Sequence, residues 1–157
     1  MNSVEYAAWS VASIPPYTAD KVRSGRWAEA EATDLARKEF EQLLPQSQET
    51  PGNFFFTILN ETGNTVGSLW FARAQRVGYE IGYVFDIVIL QEHRRQGHAI
   101  RALQALETEA SSLGLAGIAL HVFGHNAGAR ALYTKLGFEP ININMHKPLP
   151  AAARGEA

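Results

Sequence analysis

The sequence predicts a mixed α/β or α+β fold, in which helices cover a layered sheet. One observation is a helix-forming region that precedes two apolar, strand-like segments joined by turn residues. A second is the strand–helix–strand–helix–strand series that fills the rest of the chain. The 157 residues suit one domain with a buried core, which we place at residues 1–149, with 150–157 as a flexible tail.

The first third of the chain is predicted to be helical. A short helix is expected over Val4–Ser13, and Pro15 and Pro16 should stop it because proline lacks the backbone donor that a helix needs. A second helix is expected over Ala28–Leu44, where apolar residues recur at helical spacing. A polar connector then leads to the sheet.

The middle of the chain favours strands. Phe54–Asn60 and Thr65–Arg73 are rich in aromatic and β-branched residues, and the turn residues between them predict a hairpin. Tyr79–Leu90 is expected to form a third strand. Its last four residues, from Ile87 onward, are apolar on both faces, which indicates a position near the centre of the sheet.

The second half of the chain alternates between helix and strand. A helix is predicted over Gly97–Leu113 and a strand over Gly117–Phe123. Asn126 is a suitable N-cap for a further helix, Ala127–Leu136. Apolar residues alternate with polar ones over Ile141–Met145, which predicts a last strand.

Composition excludes several classes of protein. With 46% apolar residues, 19% charged residues and a net charge of −2, the chain lacks the broad basic face of a nucleic-acid binder. It has no cysteine, and its five histidines lack metal-binding spacing, so we expect no disulfide, thiolate nucleophile or metal. It contains neither a secretory leader nor a long apolar run, so we expect a cytoplasmic protein that contacts no membrane.

The segment that carries chemistry is Asp86–Gly97, with the sequence DIVILQEHRRQG. A buried strand enters a loop with two arginines, and Gly97 and Ala99 open a helix whose first turn has unpaired N–H groups. This arrangement favours a pyrophosphate-like anion. Neither a G-x-x-x-x-G-K-[ST] loop nor a G-x-G-x-x-G loop is present. Taken alone, the pattern is equally typical of an ordinary, solvated strand-to-helix turn.

Two ordered motifs resemble the GNAT superfamily of N-acetyltransferases. Arg94–Ala99 (RRQGHA) is similar to its R/Q-x-x-G-x-G/A signature, with alanine at the second small position. His121–Glu139 is similar to its later motif, in which an asparagine, a short helix and L-Y-x-K-x-G-F follow a strand. The resemblance covers roughly residues 28–148 and implies a central mixed, mostly antiparallel sheet with splayed central parallel strands. The family's usual first strand has no convincing counterpart in Met1–Glu5.

The resemblance implies an acetyltransferase that uses acetyl-CoA as cosubstrate. The backbone amides of the Arg94–Ala99 turn would bind the coenzyme's pyrophosphate, and the third strand would pair with its pantetheine arm. Asn126 would contact the same arm or an ordered water, although an N-cap role explains it equally well. The implied cofactor residues are Ile87, Val88, Ile89, Arg94, Arg95, Gln96, Gly97, His98, Ala99 and Asn126.

The resemblance also implies catalytic groups. Tyr133 would act as the general acid that protonates the departing thiolate, and its alternative role is packing beside Leu132 and Leu136. Asp86 is the first candidate for the general base, because an aspartate in an apolar strand is costly to bury, although a backbone donor would also satisfy it. Glu80 is the second candidate and His121 the third.

Two functions remain open at this point. The first is direct acetyl transfer, in a ternary complex, to a primary amine on a small molecule or peptide. The second is a non-catalytic module that binds acyl-CoA or another small ligand on the same fold. The residues do not identify the acceptor. A homodimer is expected only because the resemblance to the family implies one.

Overall fold

The computed structural model describes residues 1–147, which contain four α-helices and four strands. The helices are α1 (Ser3–Arg23), α2 (Glu29–Leu43), α3 (His98–Ser112) and α4 (Ala127–Lys135). The strands are β1 (Asn53–Leu59), β2 (Thr65–Arg76), β3 (Tyr79–Ile89) and β4 (Ile118–Leu120). The predicted hairpin, the third strand and the helices α2, α3 and α4 are therefore confirmed.

The strands form one mixed sheet in the order β1-β2-β3-β4. The first two pairings are antiparallel, and β3 pairs with β4 in parallel. The predicted fold class, a mixed and mostly antiparallel sheet flanked by helices, is confirmed. Within residues 1–147, none of the helices combines the length and the apolar character that a bilayer crossing requires.

Helices cover both faces of the sheet. On one face, α1 and α2 pack an aromatic cluster of Trp9, Phe40, Phe55 and Trp70 against β1 and β2. On the other face, α3 and α4 cover a core built around Leu69, Phe71, Val84, Leu103 and Leu106. Burial of these side chains holds the layers together, because removing apolar surface from water is the main favourable term in folding.

The first helix does not stop at the prolines as predicted. It continues through Pro15 and Pro16 to Arg23, so the expected end near Ser13 is wrong. A proline inside a helix costs about 3 kcal/mol, but α1 is buried on both sides of the pair, at Trp9 and at Lys21, and packs along α2. Tertiary packing therefore outweighs the local preference of proline.

The parallel strands β3 and β4 stay together only briefly. Their pairing runs from Gly82–Ile118 to Val84–Leu120, and then β3 contains a bulge. Trp70 of β2 pairs with Asp86 and Phe71 pairs with Val84, so Phe85 is an extra residue in β3. Beyond this point β3 keeps its pairing with β2 but not with β4, and the predicted strand Gly117–Phe123 is correspondingly reduced to Ile118–Leu120.

Of the two terminal segments, the first agrees with the prediction and the second does not. Met1–Glu5 contains the start of α1 and no strand, as the sequence suggested. Ile141–Met145 is not a strand, and Ile141, Ile143 and Met145 are largely exposed, so that prediction is wrong. Alternation of apolar residues makes a strand possible but supplies no partner strand, and no neighbour pairs with this segment within residues 1–147. The predicted tail 150–157 lies outside the described residues.

Gly82 provides a test of how tightly the parting strands are packed. A Cβ at this position would lie 2.0 Å from Cε2 of Phe71, whose side chain is fully buried. We expect Gly82→Ala to lower the free energy of unfolding, measured with urea, by about 1–3 kcal/mol, as is usual for an overpacked core.

Gly117→Ala is the matched control. Gly117 accepts the backbone N–H of Gly82 at 2.9 Å, yet a Cβ there meets nothing within 4 Å. Its stability should stay within about 0.5 kcal/mol of the parent. Equal stability of the two variants would contradict the packing described here.

Candidate active site

The turn before α3 presents a row of unbonded backbone donors. A short 3₁₀ helix over Gln91–His93 ends β3, and Arg95 and Gly97 then adopt left-handed φ angles of 62° and 82°. Within residues 1–147, no hydrogen bond uses the backbone N–H groups of residues 95 to 100. Successive N–H groups in such a turn, at the positive end of a helix, form a concave site for an anion.

Two arginines hold this turn in place. Arg94 donates from Nε to the backbone oxygen of Ile89 at 3.0 Å, which ties the loop to the end of β3. Arg101 donates from Nη2 to the oxygen of Gln96 at 3.2 Å and to Nδ1 of the buried His98 at 2.9 Å. Sequence reasoning missed Arg101, although its spacing of four residues from Gly97 places it over the first turn of α3.

Gly97 is required by its conformation and its surroundings. A left-handed φ of 82° strains any residue with a side chain, and a Cβ there would lie 3.0 Å from Nη1 of Arg101. The guanidinium of Arg101 therefore covers the same turn that presents the free N–H groups, and it adds positive charge there.

The bulge gives β3 an unpaired edge. Leu90 donates its backbone N–H to Val66 on the β2 side, so the two-residue period directs the backbone groups of Ile87 and Ile89 toward β4. The oxygen of Ile89 accepts Arg94, and the N–H of Ile87 contacts the carboxylate of Asp86. The oxygen of Ile87 and the N–H of Ile89 have no partner in residues 1–147. By the same period, the backbone of Val88 faces β2.

Asp86 lies beside the bulge and faces the α1 side of the sheet. Nε1 of the buried Trp9 donates to its Oδ2 at 3.3 Å. Burial raises the pKa of Asp86 above its ordinary value of 3.8, and the hydrogen bonds from Trp9 and from the backbone of Ile87 offset part of the rise. Sequence reasoning singled out Asp86 but missed Trp9, because 77 residues separate them in the chain.

Tyr133 approaches the gap between β3 and β4, which opens where their pairing ends, from the opposite face of the sheet. It extends from α4 into the core beside α3, with its ring 5.6 Å from that of Phe138. Burial raises the pKa of Tyr133 above 10.0, and the negative charge of Asp86 raises it further. The structure thus brings the first predicted base and the predicted acid within electrostatic range of each other.

The other two candidate bases differ in position. His121 follows β4, across the gap from Asp86, and burial lowers its pKa, with a further lowering by Arg26 and Lys21. Glu80 lies near the start of β3 and forms an ion pair with Arg73 at the surface. Asp86 lies six positions after Glu80 along β3, about 20 Å away, so the structure does not bring Glu80 to the gap.

Asn126 caps α4 as its sequence context predicts. Its side-chain oxygen accepts the backbone N–H of Ala129 at 3.1 Å. This bond fixes the start of α4 and hence the position of Tyr133, which lies on the second turn of the same helix. The amide nitrogen of Asn126 has no partner within residues 1–147.

A cleft of about 1400 Å³ runs along β4. It is lined by Tyr83, His121, Phe123 and Tyr133, and also by Arg26 and Arg76. The described residues that line this cleft do not include the turn before α3. Residues 1–147 contain no cluster of three or more acidic or histidine side chains that could hold a metal ion.

The sequence model of the Acetyltransferase (GNAT) family matches residues 19–138. The uncharacterized N-acetyltransferase YycN of Bacillus subtilis (strain 168) is 31% identical over 149 residues, which cover 95% of this chain and 96% of that protein. A second protein of the same organism, the uncharacterized N-acetyltransferase YdgE, is also 31% identical and covers 95% of each chain.

Solved structures share the fold. The crystal structure of YycN superposes with a TM-score of 0.90 and covers 96% of each chain. The aminoglycoside 6'-N-acetyltransferase AAC(6')-Ih of Acinetobacter baumannii has a TM-score of 0.54 at 18% identity, covering 76% of this chain and 82% of that one. At that identity the likeness concerns the fold alone.

The raised pKa of Asp86 predicts how the stability of the folded protein depends on pH. An ionised carboxyl that burial penalises costs the folded state free energy above its folded pKa and costs nothing below pH 3.8, where both states hold the proton. Asp86→Asn removes the charge and keeps an oxygen for Trp9. We expect this variant to melt at a higher temperature than the parent at pH 7, with the difference disappearing as the pH falls below 3.8.

Asp34→Asn, which alters an exposed carboxyl on α2, is the control and should show no such pH-dependent difference. Thermal unfolding followed by circular dichroism between pH 3 and 8 measures both variants. A less stable Asp86→Asn protein at pH 7 would show that the carboxylate is well solvated or well paired, contrary to the burial described above.

Proposed function

The chain belongs to the acetyltransferase (GNAT) family, and from that premise we propose that it transfers the acetyl group of acetyl-CoA directly to a primary amine while both substrates are bound. Enzymes of this family use acetyl-CoA, and the acceptor is a small-molecule or peptide amine. The observation that carries the proposal is the row of unbonded N–H groups at residues 95–100, next to the unpaired edge of β3.

The turn before α3 fits the diphosphate of coenzyme A. Backbone N–H groups from Gln96 to Ala99 would donate to the phosphate oxygens, and the positive end of the α3 dipole favours their charge. Arg95 and Arg101 add two further cations at the same turn. This combination of donors and cations suits an anion with several oxygens better than a single carboxylate.

The pantetheine arm fits the edge that the bulge leaves open. This arm contains two amide groups, and the free oxygen of Ile87 and N–H of Ile89 offer one acceptor and one donor at strand spacing. Pairing there would extend the arm along β3 toward the bulge. The thioester would then reach the gap that Asp86 and Tyr133 approach from opposite faces.

Asp86 is our choice for the general base. An alkyl ammonium with a pKa near 10.4 must lose a proton before its nitrogen can attack the thioester carbon. A carboxyl whose pKa is raised accepts that proton more readily than an ordinary aspartate does. Glu80 remains the less favoured candidate because it is ion-paired with Arg73, and His121 faces the gap as an alternative acceptor of the proton.

Tyr133 is our choice for the general acid. Attack by the nitrogen gives a tetrahedral intermediate, and its collapse breaks the carbon–sulfur bond and leaves a thiolate. The raised pKa keeps Tyr133 protonated at neutral pH, so its hydroxyl can donate to a thiolate whose pKa is near 8.5. The products are the acetylated amine and coenzyme A.

Removal of the Tyr133 hydroxyl tests the acid role. We expect Tyr133→Phe to lower kcat by about 100-fold or more, since a positioned general acid contributes that much, and to leave the affinity for coenzyme A unchanged. Release of free thiol from acetyl-CoA over a panel of amines measures the rate. Tyr79→Phe, at an exposed tyrosine on β3, is the control. Full turnover by Tyr133→Phe would remove the assigned role.

An acidic residue in the first turn of α3 tests the phosphate site. Ala99→Glu should favour the helix through its dipole but repel the coenzyme's diphosphate, so the protein should fold and bind acetyl-CoA at least about tenfold more weakly. Gln104→Glu adds the same charge at an exposed position one turn later and should bind normally. Calorimetric titration with acetyl-CoA gives both affinities. Unchanged affinity in a folded Ala99→Glu protein would contradict the proposed site.

A further inference from the structure

Aromatic rings form a continuous surface on the α1 side of the gap. Trp27, Tyr17, Phe40 and Trp9 follow one another with ring centroids 5.8, 5.6 and 6.2 Å apart. Trp9 donates to Asp86, and Trp70 links Trp9 to Phe85, with ring centroids 5.6 and 4.4 Å apart. Phe85 is 38% exposed although it lies in a central strand. We call Trp27, Tyr17, Phe40, Trp9, Phe85 and Tyr83 the aromatic floor; Phe85 and Tyr83 are 4.8 Å apart.

One cation of this region already has a counter-ion. Nζ of the buried Lys21 lies 4.7 Å from the ring centre of Tyr17 and 4.8 Å from that of Trp27. The same ammonium pairs with Glu39 at 3.2 Å, and Tyr17 donates its hydroxyl to that carboxylate. Lys21 therefore stabilises the floor, and its ammonium is already paired with Glu39.

Two other cations lack a counter-ion. Arg26 and Arg76 are exposed, and neither guanidinium forms an ion pair or a side-chain hydrogen bond within residues 1–147. Both line the cleft along β4, together with Tyr83 and His121. The two acidic residues of that cleft, Glu107 and Glu139, belong to α3 and to the segment after α4, on the other face of the sheet.

The local field at this end of the floor is positive. Arg26 and Lys21 both contribute to the lowered pKa of His121, after burial as the main cause. Arg76 acts against the rise that burial gives to the pKa of Tyr83. Guanidinium groups are the side chains best suited to bind carboxylates and phosphates, because their donors form a planar fork.

We propose that the acetyl acceptor carries an anionic group, a carboxylate or a phosphate, which Arg26 and Arg76 bind while the amine lies at Asp86. This inference rests on the function proposed above and assigns the acceptor's chemical class. The floor separates the two charged ends: Tyr83 lies three residues before Asp86 on β3, a span of roughly 10 Å. The acceptor is therefore an amine with its anion several bonds away and an apolar chain between them.

Three acceptors with the same amine and chain test the class. We expect 6-aminohexanoate and 6-aminohexyl phosphate to be acetylated at least about tenfold more efficiently, by kcat/KM, than the neutral 6-aminohexanamide. The ratio between the first two distinguishes a carboxylate from a phosphate acceptor. If the neutral amide is acetylated equally well, acetyl transfer stands and the proposed anion site is overturned.

Substitutions of Arg26 test the residue. Arg26→Gln should raise KM for the anionic acceptor about tenfold, with kcat, KM for the neutral amide and the affinity for coenzyme A all unchanged. Arg26→Lys should recover part of the loss. Arg23→Gln, at an exposed arginine in the last turn of α1, three residues before Arg26 and outside the cleft, is the matched control and should behave as the parent. A weakened affinity for coenzyme A in Arg26→Gln would assign the arginine to the coenzyme and overturn the proposal.

Binding of hexanoate separates this proposal from the reaction itself. Hexanoate has the carboxylate and the chain but no amine, so calorimetric titration into the protein saturated with coenzyme A needs no turnover. Binding to the parent but not to Arg26→Gln would support the anion site even if no amine were acetylated, a result that would overturn only the transfer reaction. No binding to the parent, together with no preference for anionic amines, would overturn the inference.

Discussion

The extra residue in β3 is the feature on which the rest of the site depends. One inserted residue at Phe85 changes which backbone groups of β3 face β4, because the period of a strand is two. It ends the pairing with β4 after Val84 and leaves Ile87 and Ile89 with unpaired backbone groups. It also turns the side chain of Asp86 to the α1 face, where Trp9 reaches it. A regular strand would close the gap and bury the carboxylate in the opposite core.

The helix α1 contributes side chains to the gap from the face of the sheet that it covers. Trp9 lies before the two prolines and Tyr17 after them, and both rings join the aromatic floor. A helix that ended at Ser13 would place Trp9 against Asp86 but would leave Tyr17, Lys21 and Arg26 unpositioned. The two prolines therefore lie inside a helix that extends from Asp86 along the aromatic floor, and the packing of this helix outweighs their cost. The hydrogen bond from Trp9 offsets part of the burial cost of Asp86, which suits the proposed role of this carboxyl as a proton acceptor.

The sequence was sufficient for the features that depend on local pattern. The hairpin, the central position of β3, the helix α3 and its N-terminal turn all follow from periodicity and turn residues within short windows. The first turn of α1 also has a local signal, since Asn2 and Glu5 form a reciprocal capping box that the sequence displays. Features that depend on distant partners were not predictable in this way. The bulge at Phe85, the contact of Trp9 with Asp86 and the continuation of α1 are decided by packing between segments far apart in the chain.

The distribution of charge around the gap favours one orientation of the proposed acceptor. Around the gap, unbonded backbone donors and arginines lie at two places, the turn before α3 and the cleft beside the aromatic floor. Asp86 lies on β3 between them. An acceptor with an amine at one end and an anion at the other is therefore favoured in one orientation, with its cation toward Asp86 and its anion toward Arg26 and Arg76. In the proposed complex, this arrangement keeps the acceptor's anion away from the coenzyme's diphosphate, so the two negatively charged substrates can bind together.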